Sequence, residues 1–315
     1  MQPSPKSAAI LPAGARDSLE AAVAQVNALV LGKPREVRLA FTALLAGGHV
    51  LVEDLPGLGK TTLARALAAT LGLEFQRMQF TADLLPSDIV GVSVYDQGER
   101  GFRFHPGPVF TQLLLADEIN RAPPRAQSAL LEAMAEQQVS VDGVSHRLPS
   151  PFFVIATQNP VDLSGTFPLP DSQLDRFLLR ISLGYPDAEA ERAMLAGRDR
   201  RQLIGETLPR LGAEDVLALQ RAVDGVHASD ALLDYVQRLL LESRRRARVG
   251  LSPRAGLALL RGARAHALLL GRAHVLPDDV QALFVPVAAH RLVVDAEGAA
   301  RDRFAETLLG TVAVD

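Results

Sequence analysis

Residues 49–62 read HVLVEDLPGLGKTT, and the fold follows from how this stretch is read. HVLVE is a short apolar run of the kind that forms a buried strand, and the residues after Lys60 suit the opening of a helix. Between them, Gly57, Gly59, Lys60 and Thr61 match a phosphate-binding loop. Glycines let backbone N–H groups converge on phosphate oxygens, and the helix N-terminus adds its positive dipole. Lys60 would neutralise the β and γ phosphates, and the Thr61 hydroxyl would ligate magnesium. The pattern departs at Asp54, six residues before the lysine, where a glycine is expected. Asp tolerates unusual backbone angles, but a carboxylate beside phosphates is electrostatically unfavourable.

Working outward, LLLADE (113–118) supplies a second apolar strand that ends in Asp117 and Glu118. Ligands collect at the carboxyl ends of strands in open α/β sheets. Asp117 would hold magnesium through water, and Glu118 would orient or deprotonate an attacking water. FFVIAT (152–157) runs into Gln158, Asn159 and Pro160. Asn159 reads either as a turn residue before proline or as an amide that donates to a γ-phosphate oxygen and accepts from water. Arg176 lies in QLDRF just before another apolar run, and Arg254 lies in LSPRAG, where Ser252 and Pro253 suit a helix N-cap and first position. A cation in a first turn opposes the helix dipole, so Arg254 either faces an anion or is simply solvated.

The rest of the chain alternates in the same way. Helices are expected from Leu19, after Pro34, over 60–71 and over 123–137, and strands over 74–80, 112–116, 152–157 and 177–182. That order predicts a parallel α/β sheet. Two hairpins interrupt it, one between Asp88 and Phe110 around Gly98 and Gly101, the other in QQVSVDGVSHRL (137–148) with an Asp142-Gly143 turn. Past Pro186 the strand signals fade, and helices are expected to start near Asp187, Ala213, Ser229, Ser252 and Pro277. The expected division is a disordered tail over 1–16, an α/β core over 17–185 and an all-helical domain over 186–315, as 315 residues suggest at roughly 150 per domain.

Composition narrows the chemistry. Without cysteine there are no disulfides, thiolate metal sites or cysteine nucleophiles. Lys and Arg total 33 against 36 Asp and Glu, a net charge of −3, so no nucleic-acid partner is expected; RRRAR (244–248) reads as a charged helix end. No apolar run approaches the ~18 residues of a membrane span. The seven histidines lack metal-ligand spacing and read as surface or satisfied core groups.

Five ordered segments, HVLVEDLPGLGKT, LLLADEINRAPPRAQSALLEAMAE, FFVIATQNP, PLPDSQLDRFLLRI and LSPRAGLALLRGARAHALLLGR, resemble the AAA+ ATPases and specifically the MoxR family. The resemblance runs from about Leu19 to Val314, and an acidic residue at position 54 resembles what MoxR relatives tolerate. It implies an AAA+ P-loop core with a parallel sheet and a C-terminal helical lid, acting on ATP with Mg2+. Position by position, it implies that Pro56, Gly57, Leu58, Gly59, Lys60, Thr61 and Thr62 form Walker A and that Asp117 and Glu118 form Walker B. Asn159 would be sensor 1 and Arg254 sensor 2, Arg176 an arginine finger acting on the neighbouring subunit's nucleotide, and Gly32 and Lys33 the backbone contact to adenine. The two hairpins match the helix-2-insert branch. The resemblance also implies a ring, expected to be hexameric, in the cytoplasm. Such a ring would remodel or mature partner proteins or insert cofactors into them, with a von Willebrand factor A domain protein as partner. A nucleic-acid motor and a metal-chelatase motor subunit are the alternatives within that branch.

Overall fold

In the computed structural model, which describes residues 14–98, 100–160, 165–294 and 299–314, the apolar runs singled out above form the middle of a parallel sheet. Two helices, α1 (Ala15–Leu29) and α2 (Pro34–Leu45), precede β1 (Val50–Glu53). The chain continues through α3 (Lys60–Thr70), β2 (Phe75–Gln79), α4 (Pro86–Val90), β3 (Gly91–Asp96), β4 (Gly101–Pro106) and β5 (Leu113–Asp117). After these come α5 (Pro124–Glu136), β6 (Gln138–Val141), β7 (Val144–Arg147), β8 (Phe153–Gln158), α6 (Asp171–Leu174) and β9 (Leu179–Ile181). Only helices follow: α7 (Ala188–Ala196), α8 (Arg200–Gly205), α9 (Ala213–Val223), α10 (Asp230–Arg246), α11 (Pro253–Leu269), α12 (Pro277–Ala288) and α13 (Ala299–Thr311).

The sheet order is β2-β5-β8-β1-β9, all parallel. Its inner strands are covered on both faces, which is why they read as unbroken apolar runs. Side chains alternate between two cores. Val50, Val52, Leu113, Leu115, Phe153 and Ile155 pack with α1 to α3, whereas Leu51, Leu114, Ala116, Val154 and Ala156 pack with Leu130 and Met134 of α5. The register sets Val52 opposite Thr157, Glu53 opposite Gln158 and Gln79 opposite Asp117, so the carboxyl ends of β1, β5 and β8 share one edge.

Both hairpins are present. Asp142 and Gly143 take φ of 50° and 79°, the two left-handed residues of a tight turn between β6 and β7. Phe104 of β4 stacks on His146 of β7 at 3.9 Å between ring centroids, joining the hairpins.

The expected helix starts carry caps. Asp187, Ser229 and Ser252 accept from the N–H groups of Ala190, Leu232 and Ala255, and Asp215 and Asp279 reach back to the N–H groups of Gly212 and Leu276. The helical region does not stand apart. Gln220 and Arg261 donate to the carbonyls of Leu44 and Ala46 at the end of α2, satisfying acceptors a helix terminus leaves open. One apolar cluster runs from Leu19 and Leu44 through Val52 to Leu259, Leu283 and Leu308.

Some elements depart from expectation. Helix α1 begins at Ala15, so Ala15 and Arg16 of the expected tail are helical, while residues 1–13 lie outside those described. The strand expected over 177–182 is only three residues long, because the Phe177 N–H is spent on a turn to the Leu174 carbonyl. The short helices α4, α6 and α8 are too brief to show a period, and α13 has too few apolar residues to draw a stripe. Among the described residues no helix is long and apolar enough to cross a membrane.

Candidate functional site

The loop after β1 takes the shape its glycines allow. Gly57 and Gly59 hold φ of 83° and 93°, a region that costs other residues ~1–2 kcal/mol, and a Cβ at either would meet nothing within 4 Å. Backbone angle, not crowding, is therefore what demands glycine here. Gly59 caps α3 with no side-chain hydrogen bond, so the first-turn N–H groups are left for an anion. They open on a cleft of about 330 Å³ lined by Pro56, Gly57, Gly59, Lys60, Thr61, Thr62, Arg77, Gln79, Asp117 and Glu118. Lys60 Nζ donates to the Asp54 carbonyl at 2.7 Å. Burial pulls this ammonium below its ordinary pKa, an effect partly offset by the carboxylates of Asp117, Asp54 and Glu118.

The Asp54 carboxylate, which looked out of place in sequence, turns its oxygens away from that cleft. Its Oδ2 accepts from the N–H groups of Leu183 at 2.5 Å and Gly184 at 2.7 Å and from Ser182 Oγ at 3.3 Å, and its Oδ1 accepts from Leu55 N–H at 3.1 Å. Asp54 thus ties the loop to the chain leaving β9, where Gly184 turns with φ of 61°.

At the end of β5, Asp117 Oδ1 accepts from Thr157 Oγ1 at 2.6 Å, and the same hydroxyl accepts from the Glu118 N–H at 2.9 Å. Asp117 Oδ2 is bound by Arg77 through Nη2 at 2.7 Å and Nε at 3.2 Å. Glu118 sits in the left-handed region (φ 57°, ψ 49°), a strained position for a non-glycine residue, and pairs with Arg121 at 2.6 Å. Beside them, Gln158 donates to Glu53, and Arg180 bridges Glu53 and Asp302 of α13. Thr157 and Arg77 were not legible from sequence as site residues. A threonine ending a buried apolar run was the available signal for the first, since a buried hydroxyl needs a partner. Arg77 is placed only by the pairing of β2 with β5.

Several expected residues lie outside the cleft lining. Asn159 follows Gln158 at the sheet edge, and Leu58 does not line the cleft. Gly32 (φ 69°) abuts Ala190 of α7, and Lys33 Nζ donates to the Tyr185 carbonyl at 2.7 Å, just past the residues that Asp54 holds. Arg176 is exposed and donates to the Leu131 carbonyl at 2.8 Å. Arg254 is also exposed and stands 3.9 Å from Asp175, next to Arg176 in the chain.

The donor set suits magnesium held with a phosphate. Thr61 and Asp117 offer hard oxygens on one cleft, while among the described residues no group of three or more His, Asp or Glu could hold an ion unaided. Magnesium commonly takes one or two protein oxygens and completes its shell with phosphate and water.

Comparison with known proteins agrees with this geometry. Residues 49–179 match the model of the ATPase family associated with various cellular activities (AAA), and residues 241–309 match the AAA lid domain. The chain is 40% identical over 310 residues to Chaperone MoxR1 of Mycobacterium tuberculosis, covering 94% of this chain and 81% of that protein. It is 46% identical over 278 residues to the uncharacterized protein YeaC of Bacillus subtilis, covering 88% and 87% of the two chains. A solved structure of an ATPase candidate from Cytophaga hutchinsonii superposes with a TM-score of 0.86 at 35% identity, covering 96% of each chain.

Proposed function

The chain belongs to the MoxR family of AAA+ ATPases, and from that premise we propose that it hydrolyses ATP to remodel or mature partner proteins. One observation carries the reading: Lys60, Thr61, Asp117 and Glu118 line one cleft at the uncapped N-terminus of α3. The first-turn N–H groups and Lys60 would hold the phosphates, and Lys60 would exchange the Asp54 carbonyl for phosphate oxygen. Thr61 and Asp117 would hold Mg2+, which when bound neutralises charge on the β and γ phosphates. Glu118 would leave Arg121 to orient the attacking water as general base, and Asn159 would support the γ-phosphate.

The residue ranges of the AAA and lid matches support a nucleotide core over 17–185 and a lid over 186–315. Pro56, Leu58 and Thr62 complete Walker A, and Gly32 and Lys33 contact adenine. Arg176 completes the neighbouring subunit's site, a contribution of about 10³–10⁵ in rate for such a finger. Arg254 is sensor 2 on the lid, where it stands 3.9 Å from Asp175. Head-to-tail completion of sites implies a closed ring, here a hexamer. The name of the mycobacterial relative supports protein clients. A von Willebrand factor A domain protein as adaptor and the cytoplasm as location belong to the same proposal. Cofactor insertion is one form the maturation takes.

The test is a pair of variants. Lys60→Ala loses ATP binding, whereas Glu118→Gln binds ATP but hydrolyses it at least ~10²-fold more slowly, as loss of a general base requires. Undiminished hydrolysis in Glu118→Gln would remove Glu118 from the mechanism.

A further inference from the structure

Arg291 lies in the 3-10 turn after α12, with its side chain only 5% exposed. Burying a cation this deeply is costly unless its donors are satisfied, and here all three guanidinium nitrogens are engaged. Nε donates to Asp175 Oδ1 at 2.6 Å, Nη2 to the carbonyls of Phe177 at 2.7 Å and Asp175 at 3.2 Å, and Nη1 to those of Leu178 at 3.1 Å and Val287 at 2.5 Å. His290 Nε2 adds a bond to the Phe177 carbonyl at 3.1 Å. Burial pulls the Arg291 pKa below its ordinary value, and the bond to Asp175 opposes that shift.

These bonds grip the backbone on both sides of Arg176. The helix before it, α6, has four residues, too few to hold its own shape. Arg176 itself donates through its guanidinium to the Leu131 carbonyl and through its backbone N–H to the Gln173 carbonyl at 3.1 Å, the latter bond lying within the same short turn. Asp175 shares its carboxylate between Arg291 inside and Arg254 outside.

We propose that Arg291, through Asp175, is a positioning residue that fixes the Arg176 segment to the lid, so that Arg176 is presented to the neighbouring subunit by a rigid support. The proposal rests on the reading of Arg176 as a finger acting in trans. Under it, the set of one subunit's lid governs hydrolysis in the next subunit's site, and lysine cannot replace Arg291 because it lacks the planar fork that reaches carboxylate and carbonyls together.

Mixing full-length subunits tests this. Arg291→Lys alone keeps ATP affinity but hydrolyses about 10²-fold more slowly, the scale of a small misplacement of a catalytic group. Its own Lys60, Asp117 and Glu118 are intact, and only the finger it lends is displaced. Glu118→Gln subunits are inactive but carry an intact finger. An equimolar mixture recovers hydrolysis, because about a quarter of randomly formed interfaces pair a working site with a working finger. Asp175→Asn gives the same pattern. Arg176→Ala mixed with Glu118→Gln is the control: if that pair fails to recover, the trans finger itself is wrong. If it recovers while the Arg291→Lys mixture does not, or if Arg291→Lys alone is fully active, the positioning role is overturned. Loss of ATP binding in both Arg291→Lys and Asp175→Asn would also overturn it, since the lock would then serve the whole chain.

Discussion

Asp54 occupies the first glycine position of a phosphate loop, yet it is 7% exposed and spends its carboxylate on the chain leaving β9. A glycine there would restore the usual pattern and remove the acceptor of three backbone N–H groups, those of Leu55, Leu183 and Gly184. Asp54→Gly is therefore expected to lower stability by about 1–3 kcal/mol, the scale of leaving buried donors unpaired, and to weaken ATP binding. Denaturant unfolding and an ATP titration check this together; tighter binding in Asp54→Gly would mean that the carboxylate acts mainly by repelling phosphate. Thr157 makes a similar point. Its hydroxyl serves Asp117 and Glu118 at once, so the acidic pair owes its geometry to a residue 39 or more positions away in sequence.

Among the elements, β1, β8 and α5 meet at His49. Its Nδ1 accepts from the Val154 N–H at 3.1 Å, and its Nε2 stands 3.3 Å from the Met134 carbonyl, so neutral imidazole with its proton on Nε2 satisfies both. Burial pushes its pKa down to about 4, with the Met134 bond opposing. Between the unfolded value near 6.5 and about 4, the unfolded chain binds a proton that the folded chain refuses. Stability is thus fully present above pH 6.5 and falls by on the order of 3 kcal/mol as pH drops through that window. Burial displaces His290 in the same direction, followed by the charge of Arg291. Urea midpoints measured from pH 7.5 to 5 should decline, and His49→Gln should flatten that decline; an unchanged slope would exclude His49 as the cause. In sequence His49 read only as a surface or satisfied core group, and although both neighbouring strands were legible, its bonds to Val154 and Met134 were not.

For the whole molecule, the apolar cluster shared by α1 to α3, the sheet and α9 to α13 means that the lid is packed as part of the fold. A chain ended after residue 185 would expose the α2 surface that α9 and α11 cover and lose the bonds of Gln220 and Arg261 to its end. It is expected to aggregate or bind a hydrophobic dye, while the full chain unfolds in one transition seen alike by fluorescence and circular dichroism. A soluble, cooperatively folding fragment over 17–185 would contradict this. By itself the sequence determined the α/β order, the phosphate loop, the acidic strand end, both hairpins and the capped helix starts, because glycine angles, strand period and caps act over a few residues. Tertiary structure alone decided where the Asp54 carboxylate points, that Thr157 and Arg77 hold Asp117, and that Arg254 and Arg291 converge on Asp175. Those contacts join residues 40 to 130 positions apart, and no local preference encodes a partner that only packing brings near.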